Sequence, residues 1–294
     1  MRASLKFLIP IAALGMATAC ASDSMIASPE TETAEAQTEL NQADKVTALL
    51  NSFNTGDTAP IAYINPEKYI QHNLDVADGL AGFGAVMQNA PPQGFSANVK
   101  RVFTDGDYVV AHTEYDFFGP KAGFDVFRFE DGLIVEHWDN LSPVTPPNPS
   151  GRSQFDGTTT LTDLDKTEAN KAVVQGFIED VLIGGNTATV TDYVSSETYL
   201  QHNSAVADGL DGLGEALAYF AVNDMVMIYD QTHKILGEGN FVLAMSEGKF
   251  GAAPGEHVAY YDLFRLADGK IVEHWDVIQP IPPQSEWKNQ NGKF

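Results

Sequence analysis

Cysteine occurs once, at Cys20, which excludes an intrachain disulfide and any paired-cysteine metal site. Basic residues are scarce. Seventeen Lys and Arg face 40 Asp and Glu, a formal net charge of −23, and no basic stripe appears. Phosphate backbones would be repelled, so nucleic-acid binding is excluded. No apolar run is long enough to span a bilayer, since the longest, Phe7–Met16, is half the required length or less. No G-x-S-x-G occurs, which removes the nucleophile elbow of a serine hydrolase. Hydrophobic content of 44% with 19% charged residues is ordinary for a globular chain.

Two blocks occur twice, in the same order. Tyr69-Ile-Gln71-His72-Asn73 returns as Tyr199-Leu-Gln201-His202-Asn203, each followed by Asp-Gly (Asp78-Gly79, Asp208-Gly209). Glu136-His137-Trp138-Asp139 returns as Glu273-His274-Trp275-Asp276, each after an Asp-Gly turn and a short apolar run. A repeat this long is a duplicated domain, not a solenoid unit. Each copy reads as helices first, then four strand-like runs joined by hairpins. In the first these are 95–103, 108–117, 123–129 and 133–140, and in the second 226–236, 241–250, 257–266 and 270–278. That order indicates an α+β fold, in which N-terminal helices pack on a curved antiparallel sheet to make a cone with an internal pocket.

The segmentation follows. Residues 1–20 carry Arg2 and Lys6, the apolar run and Ala17-Thr18-Ala19-Cys20, the layout of an export signal. Cys20 is either the lipid-bearing residue of a lipoprotein signal or lies beside an ordinary cleavage site. The mature protein is expected outside the cytoplasm, in the periplasm or tethered to a membrane through Cys20. Residues 21–40 read as a flexible tether, 41–147 as the first domain, 148–164 as a linker, 165–284 as the second domain and 285–294 as a polar tail.

The Tyr-x-Gln-His-Asn block, the Phe-Arg-x-x-Asp-Gly hairpin (Phe127–Gly132, Phe264–Gly269) and the ending His274-Trp275-Asp276-Val277-Ile278-Gln279-Pro280 resemble the SnoaL-like group. This group lies within the cystatin-like α+β barrels that include nuclear transport factor 2 and ketosteroid isomerase. The last motif resembles a bacterial subgroup labelled predicted aldol-condensation enzymes. The resemblance implies tandem cone-shaped barrels. It also implies polyketide-cyclase-like chemistry without metal or organic cofactor, with Asp276, and Asp139 in repeat one, taking a proton beside a carbonyl. Domains of this superfamily pair through the open sheet, so the fusion is expected to form an internal pseudo-dimer and a monomeric chain.

Strand alternation puts His274 and Asp276 on one face and Glu273 and Trp275 on the other. The His274/Asp276 face, and His137/Asp139 in repeat one, is expected to line the pocket. His202 and His72 are expected to join the catalytic set. Gln201, Asn203, Tyr199 and Trp275, with Gln71, Asn73, Tyr69 and Trp138, form the candidate ligand-binding set. The bland alternatives are that Gln-His-Asn is a structural hydrogen-bond cluster and that the tryptophans are packing. His202, His274 and Asp276 suit zinc in type, but no local ligand spacing supports a metal, and none is assigned. Repeat two is closer to the family ending and is expected to be the working copy if only one works. Two functions stay open. One is a cofactor-independent enzyme for a small, mostly apolar carbonyl compound, by aldol-type cyclisation or isomerisation. The other is a non-catalytic periplasmic protein that binds a small ligand.

Overall fold

Val46, Leu49 and Leu50 fall on one face of α1 (Gln42–Thr55) and are buried there. The Asn41 side chain caps its first turn, accepting from Asp44 N at 2.9 Å, and Gly56 ends it in the left-handed region at φ 71°. These are the first residues of a computed structural model that describes residues 40–294. The export signal, Cys20 and the tether lie outside the described residues, apart from Leu40.

The chain continues through β1 (Ile70–Gln71), α2 (Gly79–Gln88), β2 (Ser96–Asp105), β3 (Tyr108–Asp116), β4 (Pro120–Glu130) and β5 (Leu133–Pro143). It then repeats the plan with α3 (Thr167–Phe177), α4 (Val190–Tyr193), β6 (Leu200–Gln201), α5 (Gly209–Val222), β7 (Met225–Glu238), β8 (Phe241–Ala252), β9 (Glu256–Ala267) and β10 (Lys270–Pro280). The sheets have the same order, β1-β5-β4-β3-β2 and β6-β10-β9-β8-β7, five strands each. The fold is α+β, with two such units in tandem. The helical segment that opens repeat two is not one regular helix: a 3₁₀ turn precedes α3, and Ile178–Ile183 widen into a π turn that keeps Ile178 and Val181 buried.

One face of each sheet wraps its own helices. In repeat one Val46, Leu49, Leu50 and Ile64 pack with Val109, Ala111, Phe127, Phe129 and Ile134. The other faces pack against each other, with Phe103, Val110, Phe124 and Trp138 of repeat one meeting Phe241, Leu243, Met245, Tyr261 and Trp275 of repeat two. Cations cross this seam in both directions: Arg101 lies 4.2 Å over Trp275, and Lys234 lies 4.7 Å over Trp138.

Neither the linker nor the polar tail is a loose connector. Asn148 of the linker donates to Gln201 O (2.6 Å) and Val206 O (2.9 Å) of repeat two. Asn289 of the tail donates to Asn73 O (2.7 Å) and Val76 O (3.0 Å) of repeat one. Each repeat thus straps the other. A polar sequence reads as solvated, but here its amides satisfy backbone carbonyls of the partner repeat that would otherwise lack donors.

Candidate active site

Pairing register builds the site. In repeat one Asp125 on β4 lies directly opposite Asp139 on β5, and Phe127 opposite His137. Parallel pairing of β1 with β5 sets Gln71 beside His137. Repeat two has the same arrangement, with Asp262 opposite Asp276 and Gln201 beside His274. Two like charges across a ladder are unfavourable unless groups between them hold protons.

His137 does so. Its Nε2 lies 3.1 Å from Asp125 Oδ1 and its Nδ1 3.2 Å from Gln71 Oε1. Gln71 Oε1 also accepts from Asn73 N at 2.8 Å, which fixes that atom as an acceptor. A proton therefore sits on Nδ1, and a second is shared between Nε2 and Asp125. Tyr115 donates to the other oxygen of Asp125 at 2.6 Å. Asp139 is held by Asn73, which donates to Oδ2 at 2.7 Å, while Oδ1 is buried with no hydrogen-bond partner. The nearest cation to it is the tail's Lys293, 3.9 Å away, whose ammonium donates to Asp139 O (2.6 Å) and Gln279 Oε1 (2.9 Å).

These groups line a cavity of about 80 Å³. Its other walls are apolar: Leu49, Leu50, Phe53, Phe83 and Phe127. Tyr69 also lines it, and burial, with the charges of Asp139 and Asp125, raises its phenol far above the ordinary value. Burial raises the Asp125 carboxyl as well.

Repeat two keeps the constellation: His274 Nε2 to Asp262 at 3.0 Å, His274 Nδ1 to Gln201 Oε1 at 3.0 Å, and Asn203 to Asp276 at 2.6 Å. Its tyrosine arrives differently. Tyr115 on β3 is paired with Ala97 on β2, whereas Gly248 on β8 is paired with Tyr229 on β7. The bulky and small residues have changed strands, yet Tyr229 OH still reaches Asp262 at 3.2 Å. Only glycine fits at 248, where a Cβ would lie 1.8 Å from Ile228 O. Tyr115→Gly should lose about 3–5 kcal/mol in urea unfolding, as for other buried aromatic truncations. Adding Ala97→Tyr should recover much of it, and a double variant no more stable than Tyr115→Gly would show the exchange to be coincidental.

The copies differ in space. Gly123 in repeat one leaves room for Tyr115 and Leu141, whose atoms lie 3.0 and 2.5 Å from where its Cβ would be. The matching residue of repeat two is Tyr260, fully buried and stacked on Tyr229 with centroids 4.1 Å apart. A buried ring therefore stands against Tyr229, the partner of Asp262, where repeat one has only a glycine.

Burial raises the Asp276 carboxyl. Burial opposes protonation of His274, but the hydrogen bond to Asp262 and the charge of Asp276 outweigh it, and its pKa is raised. A group whose native pKa is raised contributes stability that is complete below its unfolded value and lost as pH rises through the native one. For Asp276 the loss begins above the ordinary carboxylate value of 3.8. Asp276→Asn should therefore raise the melting temperature by a few degrees at about pH 8 and leave it unchanged at about pH 3. Calorimetry across pH checks this, and an equal gain at both pH values would contradict it.

Four predicted site residues are elsewhere. His72 and His202 lie on the opposite face of the last strands, against Glu136 and Glu273 at 2.9 Å each. They stack on Trp138 and Trp275, centroids 4.6 Å apart in both repeats. Strand alternation turns the residue after Gln71 and Gln201 away from the cavity and into the seam, where Gly292 O and Ser153 O meet the two rings. Gln71 accepts from His137 and from Asn73 N through Oε1, and Asn73 donates its side-chain amide to Asp139. The residues the sequence reading missed are Asp125, Asp262, Tyr115 and Tyr229. A metal is conceivable in type, since ligand atoms of Asp125, His137 and Asp139 lie within 4.8 Å of one another, as do those of Asp262, His274 and Asp276. Ligation would require His137 Nε2 to give up its proton and leave Asp125.

Residues 46–137 match the family model of the SnoaL-like domain. No curated protein matches the chain. Solved structures align with one repeat's length. A protein of cystatin-like fold from Xanthomonas campestris is 20% identical over 40% of this chain and 93% of its own, TM-score 0.32. TsrD from Streptomyces laurentii is 24% identical over 37% and 89%, TM-score 0.30. An LEH-like epoxide hydrolase of M. tuberculosis is 19% identical over 39% and 85%, TM-score 0.32. Repeat one is a SnoaL-like domain, and repeat two rebuilds its sheet order and its Asp–His–Asp constellation.

Proposed function

We propose that repeat one is a cofactor-independent acid–base catalyst acting on a small carbonyl compound, by aldol-type cyclisation or isomerisation. One observation carries the reading: Asp139 Oδ1 is buried and without a hydrogen-bond partner beside an apolar-walled cavity, opposite a pair that already holds protons. Asp139 takes the proton α to the carbonyl. Tyr69, kept neutral by burial, donates to the carbonyl oxygen as charge develops there. The Asp125–His137 pair, backed by Tyr115, returns a proton to product. Repeat two serves as the packing partner and supplies the tail that closes repeat one, making the chain an internal pseudo-dimer that works as a monomer. The charged start, apolar run and Ala-Thr-Ala-Cys support a mature protein outside the cytoplasm, with Cys20 its lipid site.

The test is proton exchange. Small ketones, lactones and phenols that raise the melting temperature are incubated with protein in D₂O, and loss of α-protons is followed by NMR. Exchange that disappears in Asp139→Asn and persists in Asp276→Asn supports the assignment. Ligands that bind without exchange would leave a binding protein.

A further inference from the structure

The cavity beside Asp139 continues outward. Asn73, Val76, Val86, Phe117 and Leu141 line it and also line an outer groove of about 580 Å³. The inner chamber, about 80 Å³, is several times smaller than the groove it shares these walls with. A molecule that reacts at the inner end can therefore lay its body along the groove. The groove is shaped by the loop before α2, α2 itself, the β3–β4 hairpin and the C-terminal strap, with Leu141 of β5 and Gln279 of β10 also in its wall. At the hairpin Phe118 is 61% exposed at φ 52°, a left-handed conformation that bulky residues avoid, with its ring 5.1 Å from those of both Phe95 and Phe117.

The groove's charge runs against that of the chain. The sequence carries −23, yet two lysines, Lys121 from β4 and Lys288 from the strap, stand in the groove wall, with Asp75 its one carboxylate. Among the described residues nearly every other lysine is engaged. Lys68, Lys100, Lys166 and Lys171 are ion-paired, Lys234 lies over Trp138, and Lys270 donates to backbone oxygens. Lys121, Lys249 and Lys288 make no ion pair, and two of these three face the same groove. Lys288 is held in place by its own backbone, which donates to Leu74 O at 2.8 Å.

We infer that the ligand of this site is an amphipathic acid: a carbonyl-bearing end for the inner cavity, an apolar body along Val86, Phe117 and Phe118, and a carboxylate that reaches Lys121 and Lys288. The reacting end rests on the function proposed above, whereas the binding part stands without it.

Three probes of one length separate the parts: 9-oxodecanoate, its methyl ester and 2-decanone, titrated calorimetrically into the full mature chain. The acid should bind about tenfold tighter than the ester or the ketone, the scale of two partly exposed charge contacts. Lys121→Glu with Lys288→Glu should abolish that preference, and Lys249→Glu should keep it. Equal binding of acid and ester, a preference that survives in the double variant, or no binding of any probe overturns the inference. Asp139→Asn should still bind the acid. An acid that binds with the expected preference but exchanges no α-protons in wild type refutes the catalytic reading while leaving this one standing.

Discussion

Asp139→Asn should lower α-proton exchange by about 10²- to 10⁴-fold, the range lost with a positioned general base. The substitution is nearly isosteric. Asn73 can still donate to the remaining oxygen, so the side chain stays where it is. What changes is the atom at Oδ1, which becomes an amide nitrogen that cannot accept a proton. Because the base acts in the transition state and contributes little to ground-state binding, kcat should fall with KM nearly constant. Tyr69→Phe should act by a different route, removing one donor to the developing oxyanion. The same substitution at Asp276 provides the control within one molecule, because repeat two carries the buried Tyr260 ring where repeat one has Gly123. An Asp139→Asn protein that exchanges protons at the wild-type rate would refute the assignment.

Why some of this was readable beforehand, and some not, follows from which interactions repeat locally. The duplicated Gln-His-Asn and Glu-His-Trp-Asp blocks announce the fold because each sits at a fixed strand position. The Asp-Gly turns do likewise, with Asp131 and Asp268 both at φ 50° and glycine following. Asp125 and Asp262 were hidden inside apolar runs, where a lone carboxylate reads as strand. Their shared signal was Asp-x-Phe-Arg, which begins two residues before the hairpin block that was noticed. Tyr115 and Tyr229 share no aligned position at all, because the pair is exchanged across a ladder whose register only the structure gives. The straps share Asn-x-x-Gly (Asn148–Gly151, Asn289–Gly292), with both glycines left-handed at φ 79° and 81°. Compositional reading assigns such segments to solvent, and what draws them inward is the row of unpaired carbonyls on the other repeat. His72 and His202 follow strand alternation: Gln71 and Asn73 face the cavity, so the histidine between them faces the seam, and the same holds around His202.

The seam placement of these histidines leads to a stability effect as large as any expected here. Glu273→Ala should cost about 3–5 kcal/mol, the usual result of breaking a buried charged pair by removing one partner. The Glu273 side chain is 1% exposed. It accepts from His202 Nε2 at 2.9 Å and from Arg265 Nε at 2.5 Å. Burial alone would raise its carboxyl, but these two hydrogen bonds outweigh burial and hold it below the ordinary range. Without it, the Arg265 guanidinium and His202 Nε2 lose their shared acceptor, and the ring stacked on Trp275 is left with Ser153 O at Nδ1, 2.7 Å away. Glu136, its counterpart, makes the same two bonds, to His72 at 2.9 Å and Arg128 at 2.6 Å, but its side chain is 14% exposed. Water can reach that site, so Glu136→Ala should cost clearly less. Urea midpoints at constant slope measure both. If these clusters act as a structural clamp, neither variant changes proton exchange per folded molecule at the Asp139 site, and His72→Gln behaves the same way. A loss of exchange in His72→Gln at full stability would return that histidine to the catalytic set. It would also require the chemistry to reach through β5 to its opposite face, which the positions of His137 and Asp139 argue against.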